Sequence, residues 1–226
     1  MRAGVNGSGG RMGTLLCQLL DDDLVSATDR GQLNETAHAD AEVIIDFSLP
    51  EGCARLLALY PQTPLVIGTT GLTDQTLAAI AAHRAPVVHA SNFSTGVTVL
   101  LDLVETAARA LPDYDLEIVE MHHRFKVDAP SGTARSLALA SGRTPLTHGR
   151  EGHTGERPRG GIGMHALRGG DVAGEHTVYL AGPGERLQLG HLATSRATFA
   201  QGAIRAARWV IGKPPGVYDM KDVLGL

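Results

Sequence analysis

The chain has 226 residues, 43% of them hydrophobic and 19% charged, with a formal net charge of −4. That length and apolar content can fill one large core or two modest ones, and they disfavour a disordered or fibrous chain. Near charge balance leaves no overall field to hold the protein on nucleic acid or an anionic membrane, so any anion site must be local.

No window approaches the roughly 18 apolar residues of a membrane helix, and the N-terminus enters a strand-like run without a signal-type preamble, so the expected location is the cytoplasm. Cys17 and Cys53 are too few for a disulfide scaffold or a four-thiolate zinc site and read as small core residues.

From Ala3 to His89 short apolar runs alternate with stretches of helical period: Ala3 to Asn6 then Met12 to Leu20, Val43 to Phe47 then Glu51 to Leu59, Leu65 to Gly68 then Thr73 to Ala82, and Val87 to His89. This alternation predicts a parallel sheet covered on both faces. The turn Gly7-Ser8-Gly9-Gly10-Arg11-Met12-Gly13 follows the first strand and opens the first helix, where backbone N–H groups can cradle a pyrophosphate. It departs from strict GxGxxG, since Met12 takes the third glycine position, and a glycine-rich turn alone is equally an ordinary tight turn. Asp29, at the end of the second strand, suits the ribose hydroxyls of an adenosine, and Arg30 a 2′-phosphate. The pair makes use of both NADH and NADPH conceivable, with an exposed turn of mixed charge as the plain alternative. Gly68-Thr69-Thr70 and Ser91-Asn92-Phe93-Ser94 follow later strands of the same sheet, at the carboxyl ends where ligands of open parallel sheets bind.

Thr95 to Leu111 carries apolar residues on one helical face, and Tyr114 to Met121 alternates as a strand. Further strands are expected at Ile162 to Leu167, His176 to Leu180 and Arg186 to Leu192, then a helix from Arg196 to Ile211 stopped by Lys213-Pro214-Pro215-Gly216. The expected fold class is α/β: a Rossmann-like dinucleotide-binding domain over 1–94 and 206–226, and a second α+β domain on an open mixed sheet over 95–205.

The segment Glu117 to Ala134 is richest in chemistry. His122, His123, Arg124 and Lys126 concentrate cations in a slightly acidic protein, and Ser131-Gly132-Thr133 opens a helix as an anion nest, a pairing that suits a small dicarboxylate. By the two-residue period Glu120 lies on the strand face of His122 and is expected to hold that ring. No metal site is expected, because His122 and His123 point to opposite faces and no third ligand stands at helical spacing.

Here the sequence resembles the 4-hydroxy-tetrahydrodipicolinate reductase (dihydrodipicolinate reductase) family over nearly its whole length. The resemblance rests on Gly7 to Gly13, Gly68-Thr69-Thr70, Ser91 to Ser94, Glu120 to Ala134, Arg150 to Arg157, Gly170-Asp171, Gly174 to Thr177 and Tyr218 to Leu224. It implies reduction of a cyclic imine dicarboxylate by NADH and/or NADPH in lysine (diaminopimelate) biosynthesis, by a homotetramer built through the second domain's sheet. It further implies His122 as proton donor or acceptor, Lys126 as the charge on substrate and transition state, and His123, Gly132, Thr133 and Arg205 as substrate contacts. Cofactor contacts would be Gly7, Ser8, Gly9, Gly10, Arg11, Met12, Asp29, Arg30, Gly68, Thr69, Thr70, Ser91, Asn92, Phe93 and Ser94.

The stretch between Asp29 and Val43 is shorter than in members with an extra loop or helix there, and 137–148 also looks trimmed. Arg150 to Arg159 reads either as a solvated basic loop or as a mobile lid. Two rivals remain for function: a dinucleotide-sensing binding protein, which needs no second polar site, and another amino-acid-pathway dehydrogenase, which takes an open-chain substrate.

Overall fold

Ala3–Asn6 (β1), Val43–Asp46 (β3) and Leu65–Ile67 (β4) are buried at every residue, as strands covered on both faces must be. In the computed structural model, which describes residues 1–226, they join Leu24–Thr28 (β2), Pro86–His89 (β5) and Gly216–Tyr218 (β11) in one all-parallel sheet of order β11-β5-β4-β3-β1-β2. The chain steps from β1 outward to β2, then back across to β3, so the sheet reverses direction between β1 and β3. A crevice opens at the carboxyl ends of strands where such a reversal occurs.

Arg11–Leu20 (α1), Pro50–Leu59 (α2), Asp74–Ala81 (α3), Ala197–Val210 (α6) and Met220–Leu224 (α7) complete this unit, which comprises Met1–Thr95 and Ala197–Leu226. Pro50 starts α2 at the position where its missing N–H costs nothing. One face of the sheet packs Val5, Val43 and Ile45 against Leu16 of α1 and Ala203, Ala207 and Val210 of α6; the other packs Ile44, Leu65 and Ile67 against Leu56 and Ile80. Because α6 lies wholly in this unit, the second crossing falls at 196/197, whereas the sequence pattern put it at 205/206. The tail also supplies β11, which the Pro-Pro-Gly stop had hidden.

The second unit, Gly96–Arg196, contains Thr95–Ala110 (α4, entering from the first unit), Asp115–His122 (β6), Gly132–Ala140 (α5), Leu146–His148 (β7), Ile162–Arg168 (β8), Gly174–Gly182 (β9) and Glu185–Ala193 (β10). Its sheet runs β10-β9-β6-β8-β7, with β6, β7 and β8 parallel and β9 antiparallel to both its neighbours. Leu116, Ile118, Met164, Val178 and Leu180 pack on one face beneath Leu100 and Val104 of α4 and Leu137 of α5. The other face is open, with Val119, Met121 and Tyr179 half-buried and Leu167 exposed. Arg143 closes the C-terminus of α4 by donating to the carbonyls of Leu111 at 2.6 Å and Ala108 at 3.3 Å, where a cation meets the negative end of the helix.

Candidate active site

In the first unit the crevice is a cavity of ≈ 750 Å³ lined by the ends of β1 and β3: Asn6, Gly7, Gly9 and Gly10 on one side, Phe47, Ser48 and Leu49 on the other, with Asp29, Arg30, Gly31 and Leu33 and, from α2, Glu51, Gly52 and Arg55. Gly7 has φ +87°, and a Cβ there would sit 2.7 Å from the Phe47 carbonyl oxygen. A Cβ at Gly13 would lie 2.0 Å from the Gly7 oxygen, so the turn folds this tightly only without side chains. The Gly7 and Ser8 N–H groups donate to the Thr28 carbonyl at 2.8 and 2.9 Å. The Asp29 carboxylate follows β2 and leans over the turn, with Oδ2 2.1 Å from where a Gly9 Cβ would be. A glycine cradle, an acceptor beside it and a helix N-terminus behind it fit the phosphates and ribose of a dinucleotide.

A polar chain runs along this edge of the sheet. Buried Asp46 accepts from Asn6 Nδ2 at 2.7 Å, Ser48 Oγ at 2.6 Å and Thr69 Oγ1 at 2.6 Å. Asn6 Oδ1 accepts from Thr28 Oγ1 at 3.0 Å, and His38 bridges Thr28 Oγ1 at 2.9 Å and Ser26 Oγ at 2.7 Å. Burial raises the Asp46 carboxyl against these bonds and pushes His38 down to about 4. The short segment after β2 is thereby pinned through His38, whose main-chain N–H also donates to the Tyr60 hydroxyl at 2.8 Å.

Of the expected cofactor residues, Gly7, Gly9, Gly10, Asp29 and Arg30 line the cavity; Ser8, Arg11 and Met12 belong to the same turn without lining it. Gly68 to Thr70 and Ser91 to Ser94 follow β4 and β5, further along the edge. Thr69 spends its hydroxyl on Asp46, and Phe93 is buried in the core edge-on to Phe47, so neither side chain faces the cavity. The Phe47–Leu49 wall and Arg55 were missed; their signal was the carboxyl end of the strand Val43 to Phe47.

In the second unit the apolar inner face of β6, Leu116 and Ile118, continues as Glu120 and His122. Glu120 is fully buried, and its Oε2 accepts from His122 Nδ1 at 2.6 Å, as the strand period predicts. The other nitrogen, Nε2, faces Gly174, where a Cβ would come within 3.0 Å. Glycine keeps that nitrogen open. Burial lowers the His122 pKa, opposed by Glu120 and helped by Lys126 and Arg168. Burial likewise pushes His176, directly across the ladder from Glu120, down to about 4, with His122 adding to the effect. His176 Nε2 shares a hydrogen bond of 3.0 Å with Ser131 Oγ, which also caps α5 by accepting from the Ala134 N–H at 3.2 Å.

Lys126 and Arg168 are the cations that act on His122, and a further cation, Arg196, stands beside His123. Lys126 Nζ reaches Asp128 Oδ1 at 2.7 Å, and the His123 Nε2 is 3.0 Å from an Arg196 guanidinium nitrogen, with its Nδ1 buried and unpartnered. Gly132 and Thr133 form the first turn of α5. Arg205 is an exposed residue of α6 in the first unit, and the arginine that stands beside His123 is Arg196. Arg196 and Arg168 were both missed: they lie 73 residues from His123 and 48 from Glu120. Arg150 and Arg157 are bonded to Glu117 at 2.8 and 3.0 Å, which ties both ends of the basic loop to β6. Burial raises the Glu117 carboxyl, but Arg150, His165 and Arg157 outweigh it and hold the pKa at about 2. No cluster of three or more His, Cys, Asp and Glu side chains is arranged to hold a metal ion, and no helix is long and apolar enough to cross a membrane.

A doubly wound unit with a glycine cradle, and a second unit with a carboxylate-held histidine among cations, define a two-unit nicotinamide-dependent oxidoreductase. Family models described as dihydrodipicolinate reductase, N-terminus, and dihydrodipicolinate reductase, C-terminus, match residues 1–93 and 96–224. The chain belongs to the dihydrodipicolinate reductase family. It is 47% identical to the 4-hydroxy-tetrahydrodipicolinate reductase of Alkalilimnicola ehrlichii over 264 aligned positions, covering 100% of this chain and 99% of that one. The same-named protein of an Anaeromyxobacter species is 55% identical over 84% of this chain and 75% of its own. Since 264 positions exceed the 226 residues here, the first relative carries segments this chain lacks. A dipicolinate-bound dihydrodipicolinate reductase from Paenisporosarcina sp. TG-14 shares the fold at a TM-score of 0.80 and 24% identity, with 97% of each chain covered.

Proposed function

We propose that the protein reduces 4-hydroxy-tetrahydrodipicolinate to tetrahydrodipicolinate with NADH or NADPH, releasing water, as a step of lysine (diaminopimelate) biosynthesis. The observation that carries this reading is His122, fixed at Nδ1 by buried Glu120 and open at Nε2, with Lys126 near enough to lower its pKa and the N-cap of α5 bonded to the same Glu120 carboxylate.

The first unit serves as the dinucleotide-binding domain. The turn from Gly7 to Met12 receives the pyrophosphate, Asp29 accepts from the ribose hydroxyls, and Arg30 meets a 2′-phosphate when one is present. Thr69 and Phe93 contribute backbone only, as does Gly68; Thr70, Ser91, Asn92 and Ser94 complete that end of the edge. The bound nicotinamide supplies a hydride.

The second unit serves as the substrate domain. One carboxylate of the ring dianion meets the N–H groups of Gly132 and Thr133, and Lys126 and Arg196 supply positive charge for the rest, with His123 Nε2 accepting from the Arg196 guanidinium and orienting it. Charge that develops on the conjugated nitrogen side is stabilised by Lys126 and quenched by a proton from His122 Nε2, the nitrogen its hydrogen bond to Glu120 leaves available. The half-apolar open face of the second sheet, with Val119, Met121, Leu167 and Tyr179, supports assembly as a homotetramer, for which sedimentation equilibrium should return four chains per particle.

The test follows NAD(P)H absorbance with substrate made in place from pyruvate and aspartate semialdehyde by the preceding synthase. Wild type should turn over, and His122→Gln and Lys126→Ala should each lose about a hundredfold or more in kcat while still binding cofactor. Folded protein that binds both dinucleotides and oxidises neither would overturn the reading in favour of a sensor.

A further inference from the structure

Glu120 is a carboxylate with no exposure to solvent, and burial of such a charge is tolerated only when its oxygens are fully occupied. Its Oε2 accepts from His122 Nδ1 at 2.6 Å and from one terminal nitrogen of Arg168 at 2.8 Å; its Oε1 accepts from the other Arg168 nitrogen at 2.8 Å and from the Ser131 N–H at 3.0 Å. Arg168 also donates to the Asp128 carbonyl at 2.6 Å. One fork therefore anchors three things: the histidine at the end of β6, the N-cap of α5, and the loop that carries Lys126. The parallel register of β6 and β8, which sets His122 opposite Arg168, makes this reach possible.

We propose that Arg168 is a positioning residue for the reduction: by gripping both oxygens of Glu120 it fixes the acceptor that keeps His122 in its Nδ1–H tautomer, and it sets how readily that ring takes a proton. The proposal rests on the reductase reading above. Opposing charges face His122 from every side. Glu120 on its own strand favours the imidazolium, while Arg168 from β8 and Lys126 from the loop disfavour it; His176 on β9, edge-on to the His122 ring, is held neutral by burial, Asp128 is engaged by Lys126, and His191 on β10 stands behind His176. Without Arg168 the carboxylate would present its full charge to His122, and the ring would stay protonated after it should have given its proton up. Without Glu120 the Nδ1 proton loses its acceptor, and the tautomer that exposes a bare Nε2 loses its advantage. Lysine cannot substitute, because a point charge does not span two carboxylate oxygens.

The experiment titrates the His122 imidazole by heteronuclear NMR in the full-length protein, as wild type, Arg168→Met, Arg168→Lys and Glu120→Gln, beside the pH profile of kcat for each. In wild type the neutral ring should carry its proton on Nδ1. Arg168→Met should raise the midpoint by about one pH unit, and Glu120→Gln should lower it by about one unit and move the neutral proton to Nε2. The corresponding limb of kcat should move in the same two opposite directions, a divergence that loss of packing would not produce. Arg168→Lys should restore the midpoint while kcat stays roughly tenfold or more below wild type, and it carries the test should the methionine variant fail to fold. A wild-type ring protonated on Nε2, or midpoints that stay within ~0.3 unit or shift in the same direction in the Arg168→Met and Glu120→Gln variants, would overturn the proposal. Absence of wild-type turnover would instead overturn the reductase reading, and the imidazole titrations would still decide whether Arg168 governs His122.

Discussion

Asp46 ties the ends of three segments that border the cofactor crevice, and its replacement is the sharpest probe of that edge. Asp46→Ala takes the acceptor from Asn6 Nδ2, Ser48 Oγ and Thr69 Oγ1, and from the weakly donating Cys53 thiol. The two hydroxyls have second acceptors in place, the Leu49 carbonyl at 3.2 Å and the Ser48 carbonyl at 3.3 Å, so the net loss is about one buried donor left poorly bonded, plus a small cavity. That costs about 2–3 kcal/mol. Asp46→Asn keeps one acceptor oxygen and removes a buried charge, so its cost should stay within about 1 kcal/mol. Trp209, the single tryptophan, sits on α6 against the first unit's core and reports urea unfolding of that unit. Because Asn6, Phe47 and Ser48 line the cavity, the alanine variant should also bind NADPH about tenfold more weakly by fluorescence titration, an effect of roughly 1.4 kcal/mol. An alanine variant as stable as the asparagine one, with unchanged cofactor binding, would refute the bracing role.

Acid should weaken both units. His38 and His176 are both pushed down to about 4, below the 6.5 of an unfolded histidine, so the unfolded chain takes up protons first. Stability is complete above about pH 6.5 and drains as pH falls toward 4, by up to about 3 kcal/mol for each ring, and a melting temperature flat across that window would contradict the burial argument. Gly174→Ala should crowd His122 Nε2 and cut kcat about tenfold or more with cofactor affinity unchanged; equal kcat would mean that this nitrogen is not the one that works. Arg30→Ala should lower kcat/KM for NADPH about tenfold and leave NADH nearly untouched, with Asp29→Ala acting on both through the ribose; equal losses for both cofactors in Arg30→Ala would remove Arg30 from the 2′-phosphate site.

The sequence by itself determined what is local. Fully apolar runs marked the parallel strands, the glycines after β1 marked the cradle because tight backbone turns exclude side chains, and the two-residue period of β6 put Glu120 beside His122. The cationic cluster and the α5 N-terminus lie within one short segment, so they too were legible. Only tertiary structure decided what meets that segment. Arg168, His176 and Arg196 arrive through strand register and chain return across 73 residues or fewer, and no local pattern says which side chain of β6 each of them meets. The same holds for β11, whose place at the sheet edge follows from α6 packing in the first unit, and for His38, which pins a shortened loop that sequence showed only as a gap. Local sequence fixes dihedral preference and which side of a strand a residue occupies; which strands become neighbours is settled by burial of the whole core, and the partners of His122 are distributed by that choice.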